Sequence, residues 1–152
     1  DDHIRIGYNY LNNTNLSFDR AFYEQMSIPF FERFNSFFVE RDLNSEKSLF
    51  KKLGIKEKNY ILVCDLCSIG KCDINFKENT KYKDAKVVHL QKLTPNIFDW
   101  IYTAENALEI HTVDSAFKSM IDSFKLNNDL FFYIIRNKKD YTASQNNWKI
   151  IE

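Results

Sequence analysis

Residues 93–124, LTPNIFDWIYTAENALEIHTVDSAFKSMIDSF, decide the fold. Thr94 is a good helix N-cap, and Pro95 falls at the first helical position, where its missing N–H costs nothing. Ile97, Ile101 and Ala104 then recur at helical spacing, Phe98 and Trp100 broaden that apolar face, and Asn106 suits a stop. Residues 108–113 follow as a short strand, with Leu108, Ile110 and Val113 apolar and the β-branched Thr112 between them. Asp114 and Ser115 are both strong N-caps for a second helix, whose buried stripe is Ala116, Phe117, Met120, Ile121 and Phe124. The unit is helix, strand, Asp-Ser turn, helix. In an open α/β sheet ligands bind beyond the carboxyl ends of the strands. The Asp114–Ser115 turn lies at such an end, where the amides of residues 115 to 117, Ala116 among them, and the helix dipole favour an anion.

The same pattern extends in both directions. Tyr60–Cys64 (YILVC) is a continuous apolar run, as expected of a central parallel strand buried on both faces. Residues 86–90 and 130–135 read as further strands. Asn44 or Ser45 caps a helix that runs through Leu53, with Gly54 as its stop. Residues 65–82 form a long polar loop with a short strand at 74–76. The alternation from 44 to 135 predicts an α/β fold: a Rossmann-like open parallel sheet with helices on both faces. Right-handed crossovers then bring the ends of three strands, at 65–70, after Leu90 and at 112–115, to one edge.

The rest of the chain surrounds that core. Residues 1–152 read as a single α/β domain, with 1–42 as an aromatic-rich lead-in or interface segment and 43–152 as the Rossmann-like core. Residues 4–11 suit a strand or extended segment and 12–15 a turn. Ser17 caps a helix through Met26, and Pro29 ends it. Residues 30–39 hold five phenylalanines, at 30, 31, 34, 37 and 38, whose spacing does not separate an extended segment from an irregular helix. Residues 136–147 read as a polar turn region, and Trp148–Ile151 as a tail packed back on the body.

Lysine plus arginine balance aspartate plus glutamate at 21 each, which gives no support for a nucleic-acid or polybasic membrane surface. No apolar run approaches the roughly 20 residues of a membrane span. Three cysteines clustered at 64, 67 and 72 do not resemble a secreted disulfide framework, so a reducing, cytoplasmic setting is expected.

Several constellations have chemical potential. The Asp114–Ser115 turn suits phosphate or diphosphate binding, although simple capping explains the local sequence equally well. Residues 65–71 (DLCSIGK) follow a buried strand: Gly70 permits close approach of a ligand, and Ser68 and Lys71 are placed to meet phosphate oxygens. The segment lacks the P-loop order, and no Gly-x-Gly-x-x-Gly dinucleotide fingerprint is present. The C-x2-C-x4-C spacing of Cys64, Cys67 and Cys72, with His89 and His111 as imaginable partners, lacks a second C-x2-C; no metal site is expected, and buried, inert cysteine is the default. His111 is a weak candidate for a general base, against the more common satisfied structural histidine. No catalytic triad or paired-carboxylate signature can be assigned.

The run 105–124, ENALEIHTVDSAFKSMIDSF, resembles the helix–strand–Asp-Ser–helix segment in the donor-binding half of GT-B-fold glycosyltransferases, above all poorly characterised bacterial and phage members and, more distantly, heptosyltransferases. Residues 22–42, residues 59–71 and the closing NNWKIIE are similar to other segments of that group. The resemblance implies a nucleotide-diphosphate sugar held at the strand ends, with the diphosphate near Ser115 and with Asp65, Ser68 and Gly70 in the loop pattern of the group. Cys64 stands where the group has a histidine, and Ile69 where it has a basic residue. It also implies two facing domains, of which this chain supplies the donor half. The partner is then a missing acceptor domain or, through the exposed phenylalanines, a second copy; no cofactor is required. The alternative is a non-catalytic α/β interaction or oligomerisation module.

Overall fold

The computed structural model describes residues 15–135 and 144–152. The strand expected at 4–11, most of the turn at 12–15 and most of the polar region at 136–147 lie outside the described residues. Two helices open the described chain, α1 (Phe18–Gln25) and α2 (Glu32–Asn35), followed by α3 (Leu43–Lys52). Then come β1 (Tyr60–Cys64), a hairpin of β2 (Leu66–Cys67) and β3 (Gly70–Lys71), α4 (Phe76–Asn79) and β4 (Lys86–His89). A 3-10 turn (Ile97–Trp100) leads into α5 (Ile101–Glu105), β5 (Glu109–Val113), α6 (Ala116–Asp122), β6 (Asp129–Tyr133) and β7 (Trp148–Ile151).

Five strands form one sheet in the order β4-β1-β5-β6-β7, and every pairing is parallel. The expected open parallel α/β sheet is therefore present. Counted along the chain, its strands run 2-1-3-4-5. β1 hands the chain one way, to β4, and its neighbour β5 hands it the other way, to β6. Adjacent strands whose connections diverge leave a crevice at their carboxyl ends, the usual ligand position in doubly wound sheets. Here that point lies between Cys64 and Val113.

The two faces of the sheet are covered differently. One is packed by α3, the 3-10 turn, α5 and α6 around Leu49, Tyr60, Leu62, Trp100, Ile101, Ile110, Phe117 and Ile121. The other holds a smaller cluster, Ile61, Val63, Phe76, Val113, Phe131 and Tyr133, under the hairpin and the one-turn helix α4. The aromatic lead-in joins the first face: the Phe37 ring meets Phe124 at 5.4 Å and Phe98 at 6.4 Å. Residues 30–39 resolve into the short helix α2 and an irregular continuation, with Phe31 and Phe38 turned outward at 56% and 86% exposure.

Local chemistry moves several boundaries from their expected places. Thr94 does not cap the first helix of the central unit. Its hydroxyl donates to Asp99 Oδ2 at 2.5 Å and accepts from the Asn96 N–H, so Asn96 becomes the cap, accepting from the Phe98 N–H at 3.1 Å. Pro95 thus lies outside the helix. Asp42, rather than Asn44 or Ser45, caps α3 by accepting from both of their N–H groups, and those bonds hold its carboxyl below the usual range. Gly54 follows at φ +61°, the left-handed position that ends many helices. The strand expected at 74–76 is absent: Phe76 is drawn into the second face, and the chain turns into α4 around it. The closing segment packs back on the body as a full strand, β7, paired with β6. Ser115 caps α6 as expected, accepting from the Lys118 N–H at 3.2 Å. Ala116 of the expected stripe faces outward, whereas Phe117, Met120 and Ile121 are buried.

Two buried charge clusters join the elements of the first face. Glu46 is 1% exposed; it takes a two-point bond from Arg41 at 2.8 and 2.6 Å and accepts the Tyr102 N–H at 2.9 Å, close to the start of α5. Arg41 also reaches Glu105, and the two carboxylates raise its pKa further above its already high value. On α6, Lys118 and Asp122 are both fully buried and paired at 2.5 Å. Asp122 accepts the Trp148 indole N–H at 2.8 Å, and the Lys118 ammonium lies 5.0 Å from the Phe132 ring centre, so this pair pins β7 and α6 together.

Candidate functional site

Because all five strands are parallel, Cys64, His89 and Val113 end on one edge of the sheet. The register pairs Val63 with both His89 and His111, so the loop leaving β1 is flanked by the end of β4 on one side and the end of β5 on the other. The loops at 65–71 and 113–116 therefore share an edge. They meet at the buried Cys64 thiol, whose sulfur is 3.7 Å from the Ser115 Oγ and 3.7 Å from the Leu66 carbonyl. Burial raises the pKa of this thiol, and the contact with Ser115 offsets that only in part.

An open cavity of about 450 Å³ lies on the β4 side of Cys64, lined by Asp65, Lys71, Cys72, Asp73, Ile74, Phe76 and His89. Asp65 is its electrostatic centre. The residue is 6% exposed, and its carboxylate lies 3.3 Å from His89 Nδ1 and 3.6 Å from Lys71 Nζ. Its backbone carbonyl accepts the Cys72 N–H at 2.7 Å, which continues the β2–β3 pairing outward. Phe76 meets His89 edge-on, with ring centres 6.0 Å apart. The site thus offers a buried carboxylate, one ammonium, one imidazole and an aromatic wall within a space suited to a small ligand.

The candidate residues divide between two places. Asp65 and Lys71 line the cavity. Ser68 and Gly70 stand exposed on the hairpin, where Gly70 takes φ +110°, a conformation side-chain-bearing residues rarely adopt. Asp114, Ser115 and Ala116 lie beyond Cys64 at the end of β5, with Ser115 engaged as the cap of α6.

His111 sits elsewhere. It is fully buried on the second face, with Nε2 3.2 Å from Glu109 Oε2, Nδ1 3.0 Å from the Tyr133 hydroxyl, and its ring stacked 4.4 Å from Phe131. Burial lowers its pKa, with Glu109 opposing, and pushes the Tyr133 hydroxyl up to about 12. Both ring nitrogens are occupied, so the ring has the place of a satisfied core histidine rather than of a base at the crevice mouth.

No sequence motif marks His89 or Phe76 as a ligand-site residue, yet both line the cavity. His89 had a usable signal, since it ends a strand that pairs beside β1. Buried, inert thiols are the default expectation for Cys67 and Cys72, with a redox role as the alternative; both are half-exposed and their sulfurs lie 3.4 Å apart across the hairpin. Among the described residues no group of three or more His, Cys, Asp or Glu side chains is placed to hold a metal ion, and no helix is long and apolar enough to cross a membrane. No family model, no curated protein and no solved structure matches this chain.

Proposed function

We propose that the chain is a glycosyltransferase-like domain that binds a nucleotide-diphosphate sugar at the carboxyl edge of its sheet, as the donor half of a two-domain enzyme. The reading rests on the likeness of residues 105–124 and 59–71 to the donor half of GT-B enzymes. The observation that carries it is the charged cavity of Asp65, Lys71 and His89 beside the point where β1 and β5 diverge. Lys71 and His89 would meet diphosphate oxygens, released from Asp65 as the anion enters, and Asp65 would then accept from a sugar or ribose hydroxyl. Ser115 and Ala116 lie outside this cavity, across the buried Cys64, and would meet the donor only if it extended past that thiol. An ammonium and N–H donors at that position would stabilise the departing nucleoside diphosphate in glycosyl transfer.

The test is thermal unfolding of the full chain with UDP, GDP, ADP and CMP in turn. One nucleoside diphosphate is expected to raise Tm, since ligand at about 100 times its Kd adds about 2.7 kcal/mol to stability. Lys71→Ala, at a side chain that is 72% exposed, is expected to fold normally and lose most of that gain. No response to any of the four overturns the proposal.

A second reading, self-association through the lead-in segment, is favoured by the outward Phe38 and Phe31 and the 42% exposed Ile28. Light scattering separates the two: a mass that rises with concentration, abolished by Phe38→Ser, with no nucleotide response, supports the interaction module instead.

A further inference from the structure

The hairpin at the cavity rim carries two thiols that the proposed sugar-nucleotide chemistry does not use. Cys67 lies on β2, opposite Gly70, and Cys72 directly follows β3, with its N–H on the Asp65 carbonyl. Across an antiparallel pair, a residue and the one two positions beyond its partner point to the same face. This places both thiols on the side packed against the second cluster, where their sulfurs are 3.4 Å apart. Both also approach the Gly70 carbonyl, at 3.6 and 3.8 Å, so the turn itself holds them together. Both are half-exposed, unlike Cys64 at 1%. A disulfide needs an S–S distance of about 2.0 Å, and diagonal neighbours stand about 7–8 Å apart, at the limit a disulfide spans, so closing the bond asks the side chains to rotate and the short exposed hairpin to draw in.

From this geometry we infer that Cys67 and Cys72 form a reversible dithiol–disulfide site that reacts with low-molecular-weight disulfides of the glutathione class and clamps the rim of the cavity. The exchange is balanced in two steps. One thiolate attacks a sulfur of the small disulfide, forming a mixed disulfide and expelling one small thiolate. The second protein thiolate attacks the protein sulfur of that mixed disulfide, forming the Cys67–Cys72 bond and expelling the other small thiolate. The two protons lost by the protein thiols end on the two small thiols. The protein gives up two electrons, and the small disulfide takes them. The product joins β2 to the end of β3 next to Lys71, so the oxidation state of the site acts directly on one wall of the cavity. The inference rests on the hairpin alone and stands whether or not the cavity takes a nucleotide.

The experiment uses the full chain, reduced, then incubated natively with glutathione disulfide across a range of glutathione ratios. It is quenched with an alkylating reagent and mapped by peptide mass. The expected result is a chain lighter by two hydrogens, a peptide cross-linked between Cys67 and Cys72, no retained glutathione, Cys64 alkylated only after unfolding, and recovery of both thiols in excess reduced glutathione. In Cys72→Ser the mixed disulfide is expected to persist on Cys67, a trap that a purely structural cysteine would not give. If that variant does not fold, the wild-type map alone decides. Glutathione retained on the wild type, a bond involving Cys64, a cross-link only between chains, or both thiols still alkylated after oxidation each overturn the inference.

Discussion

The two faces of the sheet are built on different principles. The first is closed by four helical segments over a large apolar cluster, and its charged groups, Glu46 with Arg41 and Lys118 with Asp122, tie one element to another. The second has a hairpin and one helical turn over it. Its strands turn Glu109, His111 and Tyr133 into a buried hydrogen-bonded chain, and its rim holds the Asp65 cavity and the Cys67–Cys72 pair. Thick cover makes a face stable and chemically silent; thin cover leaves polar and nucleophilic groups within reach of solvent and ligand. In this molecule the groups with usable chemistry gather where the cover is thinnest.

Mutations can break that contrast. Asp122→Ala strips a fully buried partner from Lys118 and from the Trp148 indole, and is expected to destabilise by about 3–5 kcal/mol in denaturant unfolding. A loss below about 1 kcal/mol would mean that the pair does not hold β7. Adjacent residues on β1 compare the faces directly. Leu62→Ala, under the helices, is expected to cost about 4 kcal/mol, whereas Ile61→Ala, beneath the hairpin, is expected to cost about 2–3 kcal/mol because the thinner layer collapses more readily into the gap. Equal costs would erase the distinction.

The second face also predicts a pH dependence. Burial depresses the His111 pKa in the folded state, so the unfolded chain takes up the proton first. Stability is therefore retained above about pH 6.5 and falls as the pH drops below it toward the folded-state value, by at most about 1.4 kcal/mol per pH unit. Urea unfolding between pH 7.5 and 5 measures this slope, which His111→Gln is expected to flatten; Glu109, Tyr133 and Lys149 are the charged and titratable neighbours whose fields it shares. The smallest effect is at the cavity rim, where Lys71→Ala is expected to change stability by less than about 0.5 kcal/mol while altering nucleotide response, the mark of a site residue rather than a framework one.

Much of the framework could be read from the chain. The YILVC run gave β1 to the residue because a strand buried on both faces leaves no polar position to blur its limits. Ser115 and Gly54 were legible because caps and left-handed stops depend on one residue and its own backbone. Thr94 misled because its hydroxyl had a better partner, Asp99, five residues on. Residues 74–76 misled because Phe76 followed the core rather than the local pattern. At the candidate site, position after a buried strand marks Lys71 and the family resemblance marks Asp65, whereas nothing local marks His89, because its place depends on which strand lies beside β1.

Periodicity, capping and apolar runs, all properties of neighbours within a few residues, were enough to establish a parallel α/β chain and to mark the turns that follow its strands. The lateral order of the strands was not in those patterns, because pairing joins residues tens of positions apart and the sheet is indifferent to local spelling. That order put β4 and β5 on either side of β1, placed His89 against Asp65, sent His111 into the interior and left two thiols facing each other across a hairpin. Chemistry at this edge is a matter of distance between side chains, and only the packed fold sets those distances.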